Sequence, residues 1–171
     1  MITLGALTDL YRHMEWADAA VWTSVLNSTS ASTDPKLREY FYHVHLVQRA
    51  FLRTWVGEHT ETSFPTFDDK RSLMLWARSY YPEALTHLGT LSDQNLLGPM
   101  VMPWAGMIVQ VLGRPAELTT LGETVLQVAL HSTYHRGQIN ARLRELGGEP
   151  SNVDYIAWLW LGRPRPSWPK S

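Results

Sequence analysis

Two histidines four residues apart, His131 and His135, stand in the segment His131-Ser132-Thr133-Tyr134-His135-Arg136-Gly137-Gln138-Ile139, and the flanking pattern reads as helix. Positions i and i+4 lie one above the other on a helix, so the two imidazoles can converge on a single cation. The chain has no cysteine. That excludes disulfides, thiolate metal sites and cysteine nucleophiles, and leaves histidine and carboxylates as the strong ligands. A third ligand must come from elsewhere, and His43 and His45 are the candidates. They lie roughly 160° apart on a helical wheel, each roughly 100° from the centre of the apolar stripe of their helix. Only one of them can face a shared site, and periodicity does not choose between them.

Neighbouring chemistries have little to rest on. Ser132 occupies the position where an HExxH protease carries its glutamate base, which disfavours peptidase activity. A di-iron bundle requires Glu-x-x-His pairs, and none occurs. No GxSxG elbow, P-loop or GxGxxG is present, so esterase, nucleotide-binding and Rossmann readings lack a foundation.

The elements that must position these histidines follow from hydrophobic spacing. A chain of 171 residues fits one domain, 1–171, and its 18% charged and 44% hydrophobic residues exclude a disordered polymer. Residues 4–26 form an amphipathic helix with Leu7, Tyr11, Met14 and Trp22 on one face, and Asp18 falls on that apolar face. Residues 27–33 read as a loop, and Asp34-Pro35 starts a second helix to about 56, with Leu37, Tyr40, Phe41, Val44, Val47, Phe51 and Trp55 inward. Asp68 caps a third helix through about 91, which Pro82 should kink or interrupt. Residues 92–118 form an irregular excursion with a small hairpin and are a candidate lid. Thr120 and Glu123 make a capping box for a fourth helix ending at Gly147-Gly148, and a short helix spans 154–161. The expected fold is all-α, a four-helix bundle with a long crossover between the third and fourth helices and a short C-terminal helix.

Net charge of −1 gives no electrostatic case for nucleic acid, and no apolar run approaches the roughly 20 residues of a membrane span. The charged N-terminal stretch is unlike a signal peptide, so the default compartment is the cytoplasm. Eight tryptophans in a small domain point to a homodimer through aromatic-rich helix faces, with a single thick aromatic core as the alternative. His13, His59 and His87 are expected at the surface.

The stretches Tyr40-Phe41-Tyr42-His43-Val44-His45-Leu46-Val47-Gln48, His131-Ser132-Thr133-Tyr134-His135-Arg136-Gly137-Gln138 and Leu143-Arg144-Glu145-Leu146-Gly147, with Met14-Glu15-Trp16-Ala17-Asp18 before them, resemble the DinB/YfiT-like helical metal-binding proteins. The likeness covers nearly the whole chain in order. It implies a four-helix bundle, commonly dimeric, with one metal ion on three histidines, here His43, His131 and His135. His43 fits the family spacing to a residue five positions on, which is Gln48 where the family usually has an acid, and Asp18 stands where it usually has asparagine. Arg136 and Gln138 belong to the motif and are expected to tie their helix to its neighbours.

Three neutral imidazoles leave a divalent ion its full charge and an open coordination position, as in catalytic zinc sites. Zinc or nickel is expected first, although imidazole also suits iron and copper. The resemblance implies a metal-dependent enzyme of thiol S-transferase-like type, or a related isomerase or hydrolase, acting on a small-molecule substrate. Its thiol must be a low-molecular-weight cosubstrate, since the chain has none. Arg142, about two turns after His135, is a candidate anchor for an anionic substrate, or else pairs with Glu145 or Glu149. The competing readings are a non-catalytic metal-binding dimer with a structural or sensory ion, and a bundle whose histidines are vestigial. Asp18 is a hydrogen-bonded core carboxylate or an acceptor orienting a ligand histidine.

Overall fold

Four long helices account for most of the fold. The computed structural model describes residues 2–58 and 65–170. Helix α1 is Leu4–Asn27, α2 Thr29–Thr33, α3 Pro35–Trp55 and α4 Lys70–Gly89. After a single 3-10 turn at Asn95–Leu97 come strand β1, Pro99–Met100, helix α5, Ala105–Leu112, and strand β2, Thr119–Thr120. Helix α6 is Leu121–Glu145 and α7 is Tyr155–Trp160. Helices α1 and α3 each pack against both α4 and α6, which makes α1–α6–α3–α4 a closed ring of neighbours. The architecture is the all-α bundle that the sequence predicts.

Local chemistry sets the boundaries. Asp34 caps α3 by accepting from Leu37 N at 2.8 Å, and Pro35 at the first turn loses no helical hydrogen bond. Thr120 and Glu123 form the expected capping box at the start of α6. At the other end Gly147 takes φ +79, and Gly147 and Gly148 donate to the carbonyls of Arg144 and Leu143, a Schellman termination. That left-handed φ favours glycine at 147.

Four expectations need correction. Residues 29–33 form the short helix α2 where a loop was expected, because Ser28 caps it by accepting from Ala31 N. The cap of α4 is Asp69, not Asp68, in a reciprocal box with Ser72. Helix α4 continues through Pro82. Pro82 and Arg78, whose carbonyl loses its helical donor, are both exposed, so solvent can take that partner's place. The 92–118 excursion carries β1, which pairs antiparallel with β2 just beyond it as a small hairpin-like clasp, but also an eight-residue helix.

The interior holds two aromatic-rich clusters. One gathers Tyr11, Trp55, Tyr80, Tyr81 and Val125; the other gathers Trp22, Phe41, Leu73 and Ile139. Burying each large apolar side chain contributes about 1.5–3 kcal/mol. Trp22 stacks on Phe41 at 3.6 Å between ring centroids, and Trp158 packs under the C-terminal tail while donating to the Pro164 carbonyl. Trp168 in the tail packs against both clusters. Trp22, Trp55 and Trp158 are buried, whereas Trp160 is exposed. No helix of the described residues is long and apolar enough to cross a membrane.

Candidate metal centre

Helix α6 presents His131 and His135 one turn apart toward α3, which supplies His43. Their Nε2 atoms converge: His131 Nε2 lies 3.1 Å from that of His135 and 3.3 Å from that of His43. With Zn–N bonds of about 2.0–2.1 Å, adjacent nitrogens of a tetrahedral site stand about 3.4 Å apart, so two edges of the cluster already have a ligand set's dimensions. Three neutral imidazoles offer too few ring protons to satisfy three nitrogens facing one another while also serving their outer sides. A single cation at their centre would engage all three lone pairs. His43 is exposed and the other two half-buried, so the cluster is open to solvent.

Electrostatics keep these groups ready. Burial lowers the His131 pKa to about 4, and the neighbouring His135 and His43 push the same way. Burial also lowers His43, with a smaller contribution from His135. Both are therefore neutral near pH 7, the form whose lone pair binds a cation. The cluster as it stands holds histidines only, among the described residues. The residues present fit a divalent ion of borderline softness.

His45, two residues from His43, points the other way and is buried. Its Nε2 accepts from Trp22 Nε1 at 3.0 Å, and its Nδ1 donates to Gln48 Oε1 at 2.8 Å. Burial lowers its pKa, so it is a neutral core residue with both ring nitrogens occupied. The structure brings His43, and not His45, to the α6 pair.

Sequence reasoning missed the network behind this centre. Gln48 Nε2 donates to Ser132 Oγ at 3.0 Å and to Asp18 Oδ2 at 3.3 Å. Asp18 also accepts from the Tyr81 hydroxyl, and its Oδ1 pairs with Arg136 at 2.9 Å. Asp18, Gln48, Ser132 and Arg136 are all buried. One side chain from each of α1, α3 and α4, and two from α6, thus meet at one point, which fixes the rotation of the helices that carry the ligands. Asp18 is the hydrogen-bonded core carboxylate of the two readings; its partners include no histidine of the cluster. Its position on an apolar face was the signal, but the identity of its partners required the packing.

Arg142 donates to Asp34 Oδ2 at 2.7 Å and to Glu145 Oε2 at 2.9 Å. The ion-pairing alternative is the one observed, with Asp34 as its main partner, and it clamps the C-terminal end of α6 to the start of α3. Two of the histidines expected at the surface are not there. His13 is buried, with Nε2 2.8 Å from the Val153 carbonyl. His87 is half-buried and stacks on Trp55. His59 lies outside the described residues.

No curated protein matches the chain. A sequence model of the DinB family matches residues 5–166. That span contains all of α1 but its first residue, α2 through α7, the buried network and all three clustered histidines. With this match added to a helical bundle whose histidines fit a metal site, the chain belongs to the DinB family.

Proposed function

We propose that this protein binds one divalent ion, zinc or nickel, through His43, His131 and His135, and uses it as a thiol S-transferase-like enzyme on small molecules. The convergence of three Nε2 atoms at a solvent-accessible point between α3 and α6 is the observation that carries this reading. A bound ion would supply positive charge that favours thiolate over thiol at a coordination position left open by three imidazoles. His43, His131 and His135 would hold the ion through uncharged nitrogen lone pairs and so would not cancel its charge. A low-molecular-weight thiol gives its proton to solvent; its sulfur forms a bond to an electrophilic carbon, and the leaving group departs with the bonding pair. The buried Asp18–Arg136 pair keeps α6 in register while this occurs.

One observation favours a second reading, a structural or sensory ion. No carboxylate joins the histidines among the described residues, and the Arg142 guanidinium is already held by Asp34 and Glu145. Neither a proton-transfer group nor an anchor for an anionic substrate is therefore assigned. Elemental analysis of untagged protein, followed by assay of small thiols against model electrophiles, separates the readings. The enzymatic reading expects conjugation that a chelator abolishes and added metal restores. Stoichiometric metal with no acceleration across several thiol–electrophile pairs would establish the second reading instead.

A further inference from the structure

The two histidines of α6 differ in what holds their outer nitrogens. His131 Nδ1 is buried without a hydrogen-bond partner. His135 Nδ1 lies 2.6 Å from Gln138 Oε1, and Gln138 Nε2 lies 3.3 Å from the Tyr134 hydroxyl oxygen. The Tyr134 ring stands edge-on to the His135 imidazole, 5.1 Å between centroids and 83° between planes. Both hydrogen-bond partners of Gln138 belong to α6 itself, so these bonds do not tie the helix to its neighbours as the motif alone led one to expect.

An amide accepts at oxygen and donates at nitrogen, which orders the chain. His135 donates its Nδ1–H to Gln138 Oε1, and Gln138 Nε2–H donates to the Tyr134 oxygen. A neutral imidazole carries one N–H, so a proton held on Nδ1 leaves the lone pair on Nε2. Nε2 is the atom 3.1 Å from His131 Nε2, at the centre of the cluster.

We propose that Gln138 is a positioning residue: it fixes His135 in the Nδ1–H tautomer and aims the Nε2 lone pair at the point shared with His43 and His131. The purpose of this device rests on the metal reading, but the hydrogen bond and the tautomer exist with or without an ion. Groups that hold the outer nitrogen of a ligand histidine typically change metal affinity by roughly 10–100-fold when removed. Gln138 is only half-buried and bridges no helices, so its loss should act on the site and leave the fold unchanged.

Gln138→Met and Gln138→Glu separate positioning from packing. Three quantities are measured: zinc affinity by competition with a chelating dye, the melting temperature of metal-free protein, and histidine tautomers by 15N NMR of metal-free protein. Gln138→Met should weaken zinc binding roughly 10–100-fold, leave melting unchanged, and turn His135 from the Nδ1–H form to a mixture. Gln138→Glu should restore both affinity and tautomer, because its carboxylate accepts the same N–H. A Gln138→Met protein that keeps the Nδ1–H form and wild-type zinc affinity overturns the proposal, as does wild-type His135 found mainly as the Nε2–H form. Should wild-type protein take up no zinc, the metal reading fails, and the tautomer spectra alone decide the role of Gln138.

Discussion

Replacing His43, His131 or His135 by alanine removes one of three convergent imidazoles from groups that are exposed or half-buried. Each change should lower metal affinity by orders of magnitude while leaving the melting temperature of metal-free protein nearly unchanged, as isothermal calorimetry and thermal denaturation would show. His45→Ala should do the reverse. It leaves the Trp22 N–H and Gln48 carbonyl oxygen buried without partners, and each orphaned group costs about 1–3 kcal/mol. Loss of metal uptake in His45→Ala with retention in His43→Ala would sink the assignment. Periodicity did not separate these two histidines; in the sequence only the family resemblance pointed to His43. Both sit at similar angles to the apolar stripe, and the placement of α6 on one side of α3 and Trp22 of α1 on the other distinguishes them.

Helix-to-helix register depends on the buried charges. Asp18→Asn leaves Arg136 buried without its counter-ion, and breaking such a pair costs about 3–5 kcal/mol. Gln48→Glu alone places a second carboxylate beside Asp18, within the 3.3 Å contact that now joins amide to carboxylate. The double change Asp18→Asn/Gln48→Glu moves the single negative charge one link along the same network, still within reach of His45 and Ser132. It should recover most of the stability lost by either single change in urea unfolding; an additive double mutant would show that the two positions are uncoupled. Arg142→Met, at the α3–α6 clamp, should lower the urea midpoint through loss of charge-assisted hydrogen bonds to the Asp34 carboxylate. The caps at Thr120 and Gly147 were readable from sequence because cap chemistry is local, whereas the Asp34–Arg142 clamp joins residues distant in the chain.

For the whole molecule, pH provides a test with a defined sign. Burial lowers the pKa of His13, so the unfolded chain binds its proton first; this contribution is complete above the unfolded value of about 6.5 and is lost as pH falls below it. The Arg142 guanidinium lowers the pKa of Asp34, and that contribution is present above the unfolded value of about 3.9 and is lost as pH drops further. Urea midpoints should therefore decline in two stages, the first as pH falls below about 6.5. Burial lowers His43, His45, His87 and His131 as well, so His13→Phe should shrink the first stage without abolishing it. Asp69 and Glu123 are also lowered, so Arg142→Met should reduce the second stage only in part. Mass is the other whole-molecule observable. Trp22, Trp55 and Trp158 are buried, and an uncharged apolar surface for a homodimer to draw on is α5, which exposes Met107, Ile108, Val111 and Leu112 with no charged residue in the helix. Light scattering at micromolar protein should give a dimer that Val111→Asp dissociates; a monomer in wild type would rule the expectation out.

Periodicity alone marked the four long helices, since a 3.6-residue apolar stripe must be buried by packing against another element. Spacing alone put His131 and His135 on one helix face, since i and i+4 coincide whatever surrounds them. These properties are local and follow from the order of residues. What the tertiary structure decided was which side of α3 faces α6, which turns His43 to the α6 pair, as the resemblance implies, and His45 into the core. It also placed Asp18, Gln48 and Arg136 in one buried knot, turned Arg142 toward Asp34, and drew His13 under the C-terminal segment. Each of these pairs polar groups far apart in the chain. Such pairings are set by the cost of leaving a buried donor, acceptor or charge unmatched, a cost that exists only once the helices have come together.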